Sequence, residues 1–312
     1  MSQNNNNTYA NGYNCVVCIK QVPDTKMVTG GAMRPDGTIN RSALPAIFNP
    51  EDRNALEAAL RVRDEHGGTV TVVTMGLPAA CTILREALEC GADKAYLITD
   101  RRAAASDTLA TSYILSQAVK KLHPDLVFCG RQAIDGDTAQ VGPQIAEKIG
   151  FALLSYVEKL EVEGGHVLVT RNIGTGIEKD RTSLPALLTL TERFGALRPY
   201  NARRIMAQKK ARAPIEIAAD VKRELPDATD EERAAEVAAR TAKLESAGLL
   251  IGQWTLDDID CDMKRCGRAG SPTMVNKVES VVLAGGEYKE FPPSDEGVNA
   301  LVASLINDHT IG

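Results

Sequence analysis

The chain has 312 residues, 44% hydrophobic and 25% charged, with 41 acidic against 36 basic side chains and a formal net charge of -5. That apolar fraction excludes a wholly disordered chain, and 25 glycines and 14 prolines with no dominant heptad exclude collagen and coiled coil. No stretch offers the roughly 18 uninterrupted apolar residues of a membrane span, the start lacks a signal-peptide layout, and mild acidity argues against nucleic acid, so a cytoplasmic protein is expected.

Residues 1–13 read as an Asn-rich, disordered tail, and a strand and helix alternation then fills residues 14–213. The apolar run Cys15 to Ile19 has the pattern of a strand covered on both faces, with Pro23 as its stop. A polar excursion with Gly30-Gly31 and Pro35-Asp36-Gly37 follows. Asn49 is expected to cap a helix that opens with Pro50, carries Glu51 and Asp52 in its positive first turn, and runs to about His66. Next come a strand over 69–75, a helix opened by Pro78 and closed by Gly91, and a strand over 94–99. A helix capped by Ser106 or Asp107 then runs to about Leu122, before a strand over 126–129. Four strands separated by three helices predict an α/β fold with a doubly wound, mainly parallel, Rossmann-like sheet.

Beyond it, two alternating runs over 156–162 and 166–172, joined by Glu163-Gly164-Gly165, signal a hairpin. Residues 186–191 read as one more buried strand. Residues 214–251 are expected as a charged surface excursion with a helix over 230–246, and 252–312 as an arm ending in an amphipathic helix over 295–307. The arm is too small to fold alone and must lie on this core or on a partner chain. Trp254 fits an interface anchor and a core residue about equally.

The seven cysteines, odd in number and scattered, suggest reduced thiols. Cys15 and Cys18 form a C-x-x-C, but a strand sends residues three apart to opposite faces, which favours core packing over a site. Cys261 and Cys266 lack a second pair or a nearby histidine for zinc. His66, His123, His166 and His309 read as solvated caps, and no catalytic triad is visible.

The stretch with most chemistry runs from Cys129 through Gly130, Arg131, Gln132, Ala133, Ile134, Asp135, Gly136, Asp137, Thr138, Ala139, Gln140, Val141 and Gly142 to Pro143. It lies past the carboxyl end of the fourth strand, where open parallel sheets bind ligands. Asp135, Asp137 and Thr138 can cap the next helix, and the free amides of its first turn suit a diphosphate. The nucleotide fingerprints G-x-G-x-x-G and the Walker lysine are absent. From spacing alone, a glycine-rich turn without a ligand fits as well, and Asp135 with Asp137 also reads as a metal or acid-base pair.

These residues, with the N-terminal Val17-Cys18-Ile19-Lys20-Gln21-Val22-Pro23-Asp24, the Asn49-Pro50 helix start, Met75-Gly76 and Glu89-Cys90-Gly91-Ala92-Asp93, resemble the β subunit of electron-transfer flavoproteins. The resemblance covers residues 14–213 and resumes around 267–272 and 279–283. It implies a heterodimer with an α subunit that carries one FAD and is clasped by the β subunit's arm. It also implies an adenine-nucleotide pocket at Cys18, Ile19, Lys20, Asn49, Asp52, Met75 and the loop from Gly130 to Val141. Members that bifurcate electrons hold a second FAD there; others hold structural AMP. The Asp-Gly-Asp-Thr-x-Gln-Val-Gly-Pro form of the loop is similar to the bifurcating type, because Gly136 replaces a side chain, often acidic in AMP-type members, that would crowd a longer ligand. The start Ser106-Asp107-Thr108 is shared with such members and is expected to contact the same ligand. The resemblance further implies NADH as donor, an acyl-CoA dehydrogenase as high-potential acceptor, and ferredoxin or flavodoxin as low-potential acceptor. It leaves two further readings, an AMP-holding shuttle and a nucleotide-sensing module without flavin. Residues 198–206 sit where the family carries its partner-recognition loop.

Overall fold

The N-terminal apolar run becomes β1 (Tyr13–Cys18) in a computed structural model that describes residues 9, 11–24, 44–274 and 289–308. The expected tail over 1–13 therefore ends early. Tyr13 is buried, and its ring lies 4.9 Å from Tyr9 and edge-on to His66 at 5.5 Å. Two short strands, β2 (Gln21–Pro23) and β3 (Ala46–Phe48), pair antiparallel. The turn expected around 30–37 lies outside the described residues.

The alternation then follows the sequence reading: α1 (Pro50–His66), β4 (Gly68–Met75), α2 (Cys81–Cys90), β5 (Lys94–Ile98), α3 (Thr108–Leu122), β6 (Leu126–Gly130) and α4 (Val141–Ile149). The hairpin is formed by β7 (Ala152–Glu163) and β8 (His166–Asn172), extended by β9 (Ile177–Ser183), and β10 (Ala186–Leu190) is fully buried. In the nine-stranded sheet, closed on one edge by β11 (Gly252–Trp254), the order is β11-β5-β4-β1-β6-β10-β7-β8-β9. β1 pairs in parallel with both β4 and β6, and only the β7-β8-β9 extension is antiparallel. The sheet is thus α/β, doubly wound and mainly parallel.

Helices on both faces create two apolar clusters, one around Leu56, Leu84 and Phe128, the other around Ile98, Ile114 and Ile145. Cys15 packs in the first and Cys18 in the second, as the strand argument requires. Six of the seven thiols are buried and Cys261 is half-buried. Burial pushes the thiols of Cys15 and Cys81 up to about 12 and that of Cys90 up to about 11. Because the thiolate is the nucleophile, brief maleimide treatment of native protein near pH 7 is expected to label no more than Cys261. Mass spectrometry should find all seven labelled after denaturation, and rapid native labelling at Cys15 or Cys81 would contradict this packing.

Two boundaries differ from expectation. The excursion opens with α5 (Ala202–Gln208) behind it and α6 (Pro214–Glu224) within it; α6 buries Ile217 and Val221, and Glu216 pairs with Arg85 at 2.8 Å. Helix α7 (Asp230–Ser246), like α5, has no buried residue. The arm begins as part of this core. Trp254 of β11 stacks on Tyr96 with centroids 4.0 Å apart, and Leu256, Ile259 and Cys266 are buried. By contrast α8 (Asp295–Asn307) leaves Val298, Leu301, Val302 and Ile306 exposed. Among the described residues, no helix is long and apolar enough to cross a membrane.

Candidate nucleotide site

The chain winds outward from β1 through β4 to β5, then crosses back to place β6 on the other side of β1. The order therefore reverses between β1 and β6, and their carboxyl ends flank the crevice where such sheets take ligands. Cys18 and Cys129 are direct cross-strand partners there, with Ile19 and Lys20 leading away on one side and the loop from Gly130 to Gln140 on the other. Met75 ends β4 on the same edge.

The first turn of α1 ties the two sides together. Asp52 is buried; its Oδ2 accepts from the Lys20 backbone N–H at 2.8 Å and its Oδ1 from the Gly130 N–H at 3.0 Å. A Cβ on Gly130 would collide with that carboxylate at 2.3 Å, so only glycine admits the approach. Burial, the largest influence, pushes the Asp52 acid up to about 7, against hydrogen bonds that favour its ionised form. Glu51 accepts from the Gln132 N–H at 2.8 Å and from Arg131 Nε and Nη2 at 3.1 and 2.9 Å. Nothing local in the sequence around Glu51, a first-turn acid of α1, reveals these partners eighty positions away.

Four expected caps, Asn49, Asp135, Asp137 and Thr138, do not cap. Asn49 makes no side-chain cap; its Nδ2 donates to the Gln132 carbonyl at 2.9 Å and its Oδ1 accepts from the Ile134 N–H at 3.2 Å. Nor do Asp135, Asp137 or Thr138 cap α4, whose N-cap position is Gln140 without a side-chain bond. Asp135 instead meets Lys20 Nζ at 2.7 Å, and Asp137 accepts from Gln132 Nε2 at 2.9 Å. Both Asp137 and Ala139 adopt left-handed φ, 48° and 51°. The chain turns sharply there, with the Gly136 and Asp137 N–H groups folded back on the Ala133 carbonyl.

The loop does not spend all its donors. Among the described residues, the N–H groups of Thr138, Ala139, Gln140, Val141 and Gly142 find no acceptor in the protein. Free N–H groups at a helix start are the kind of donor that anions take. Gly136 is exposed, and a Cβ there would meet nothing within 4 Å; the fold does not require glycine at that point.

The start of α3 is brought to the crevice only in part. Thr108 Oγ1 donates to Gln140 Oε1 at 2.9 Å, and Ser112 to Gln144 at 2.9 Å. Ser106 and Asp107 face the C-terminal segment: Ser106 Oγ accepts from the Gly267 N–H at 3.2 Å. Asp107 caps α3 through the Ala110 N–H at 3.0 Å and accepts from Thr273 Oγ1 at 2.7 Å. No group of three or more His, Cys, Asp or Glu side chains suited to a metal occurs among the described residues.

The electron transfer flavoprotein domain matches residues 36–221, more than half of the chain. This chain belongs to the electron transfer flavoprotein family. Its relatives in that family include the electron transfer flavoprotein subunit beta of Clostridium acetobutylicum, 40% identical over 96% of this chain and 100% of that one. Protein FixA of Azorhizobium caulinodans is 43% identical, covering 93% and 92% of the two chains. The caffeyl-CoA reductase-Etf complex subunit CarD of Acetobacterium woodii is 38% identical over 95% and 99%. The resemblance to electron transfer flavoprotein β subunits thus extends beyond the loop to 96% of the chain.

Proposed function

We propose that this chain, an electron-transferring β subunit, pairs with an electron transfer flavoprotein α subunit and holds FAD in its crevice to bifurcate electrons from NADH. Bound FAD would supply hydride acceptance from NADH and one-electron delivery, to a high-potential acceptor of the acyl-CoA dehydrogenase type through the α-subunit flavin and to ferredoxin or flavodoxin. The chain's own part is positioning. Thr138 to Gly142 would donate backbone N–H groups to the diphosphate, Lys20 and Arg131 would moderate its charge, and Asp52, Glu51 and Asn49 would fix the loop that presents those donors. The exposed apolar face of α8 supports docking of the arm's end on the α subunit. The exposed Tyr200 and Met206 support a dehydrogenase contact at 198–206.

The observation that carries FAD over AMP is the open space at Gly136, beside amides that a single phosphate would not exhaust. The deciding experiment is extraction and chromatography of nucleotides from the heterodimer co-produced with its α subunit. Two FAD and no AMP are expected per heterodimer; one FAD with one AMP would leave an AMP-holding shuttle in place of this reading, and a colourless chain purifying alone would leave a sensing module.

A further inference from the structure

Strand β7, separated from β6 by β10, carries an extra residue level with the start of the crevice loop. Leu154 pairs with Leu188 and Val157 with Leu190, so two residues of β7 stand opposite Thr189 alone. The bulge puts Tyr156 at φ 59°, with its N–H donated to Thr189 Oγ1 at 3.2 Å. Glycine is the usual occupant of such a position, and a bulky residue in left-handed conformation is an outlier. This chain meets the same need with glycine at Gly164 and Gly165 in the neighbouring hairpin turn. At Tyr156 it keeps a ring where a strain-free residue was available, and bulges beside sites commonly re-aim a side chain.

The ring is aimed at the crevice loop. Leu190, at the bulge, pairs with Gly130, and the next residue, Arg131, donates its N–H to the Leu190 carbonyl. The Arg131 guanidinium sits over the Tyr156 ring, 5.9 Å from its centroid, and is itself held by Glu51. The ring thus stands beside a cation held in place, while the residue remains 42% exposed.

We infer that Tyr156 is a positioning residue whose Arg131-backed ring is the stacking platform for the flavin ring of the dinucleotide, once the adenine and diphosphate half occupies the crevice. The inference rests on the FAD reading above. Aromatic stacking on such a platform is sequence-tolerant but geometrically demanding, which gives the strained backbone a purpose.

The test compares wild-type, Y156F and Y156G heterodimers, co-produced with the α subunit. Glycine relieves the left-handed strain, so Y156G should melt no lower than wild type and any loss is not one of folding. We expect Y156F to retain both flavins, and Y156G to release the β-site flavin about tenfold faster, with shifted absorption and dequenched fluorescence of that flavin alone. A merely structural ring would move the melting temperature and leave the spectrum unchanged. If wild type carries FAD in the β subunit and Y156G holds it with the same release rate and spectrum, the platform is overturned, also where only the KM for NADH rises. If wild type carries AMP there, the FAD reading falls first and the platform with it.

Discussion

The Gly136→Glu heterodimer is expected to carry one flavin instead of two and to lose NADH oxidation, while melting within about 2 °C of the wild type. The second half of that statement follows from the local geometry. Gly136 is exposed, its φ is not left-handed, and a Cβ added to it touches nothing. Exposed substitutions of this kind usually change stability by no more than about 0.5 kcal/mol, which for a domain this size is about 2 °C. The first half follows from charge. A carboxylate at Gly136 would stand within one turn of the five free amides and face the diphosphate they are proposed to bind, and like charges in a part-desolvated seat repel strongly. Gly136→Ala separates bulk from charge: with open space around the Cβ it should keep both flavins. Flavin absorbance per heterodimer and differential scanning calorimetry decide the matter. A Gly136→Glu protein that still carries two FAD would show that the open space is not the ligand's.

The contrast between Gly136 and Gly130 shows what the sequence could and could not disclose. Both are glycines in one loop, yet Gly130 is required by the buried Asp52 carboxylate and Gly136 by nothing in the protein. That difference depends on α1, which is distant in sequence. The same division runs through the fold. Apart from the short pair β2 and β3, which were not expected and are defined by pairing with each other, the elements from β1 to α4 were legible because each announces itself locally, by a continuous apolar run or by an amphipathic stretch. The strand β9, reading Ile177-Glu178-Lys179-Asp180-Arg181-Thr182-Ser183, has no such signal; it exists because β8 offers it a ladder. Three-residue β11 is likewise defined by pairing with β5 and by the Tyr96–Trp254 stack. Helix α6 did carry a signal, Pro214 at its first position and Ile217 with Val221 one turn apart, hidden in a charged stretch. Within the site, residue choice was legible and hydrogen-bond partnership was not. Asn49, Asp135 and Asp137 have the chemistry of caps, and each is spent instead on a contact with or within the crevice loop.

Asp52 carries the largest structural load in that crevice. In Asp52→Asn, one oxygen becomes an amide group that cannot accept, so either the Lys20 or the Gly130 N–H is left facing a donor. A buried donor without an acceptor costs about 1–3 kcal/mol, and the variant should lose melting temperature and β-site cofactor together. The pH dependence has a defined sign. With the folded acid at about 7 and an unfolded one near 3.9, both states are protonated below about pH 4. Between about pH 4 and 7 the unfolded chain releases its proton while the folded one holds it, so this group's contribution to stability falls as pH rises through that window and is level above it. The span is at most about 4 kcal/mol. Carboxylates held below their usual range, such as Asp64, Asp100 and Asp107, act in the opposite direction, losing stability on acidification. The difference between wild type and Asp52→Asn therefore isolates the group: the wild-type advantage should be largest near pH 4.5 and smallest near pH 7.5. An advantage that grows with pH would mean that the hydrogen bonds from Lys20 and Gly130 outweigh burial and that Asp52 is ionised throughout, a fixed anion at the floor of the crevice.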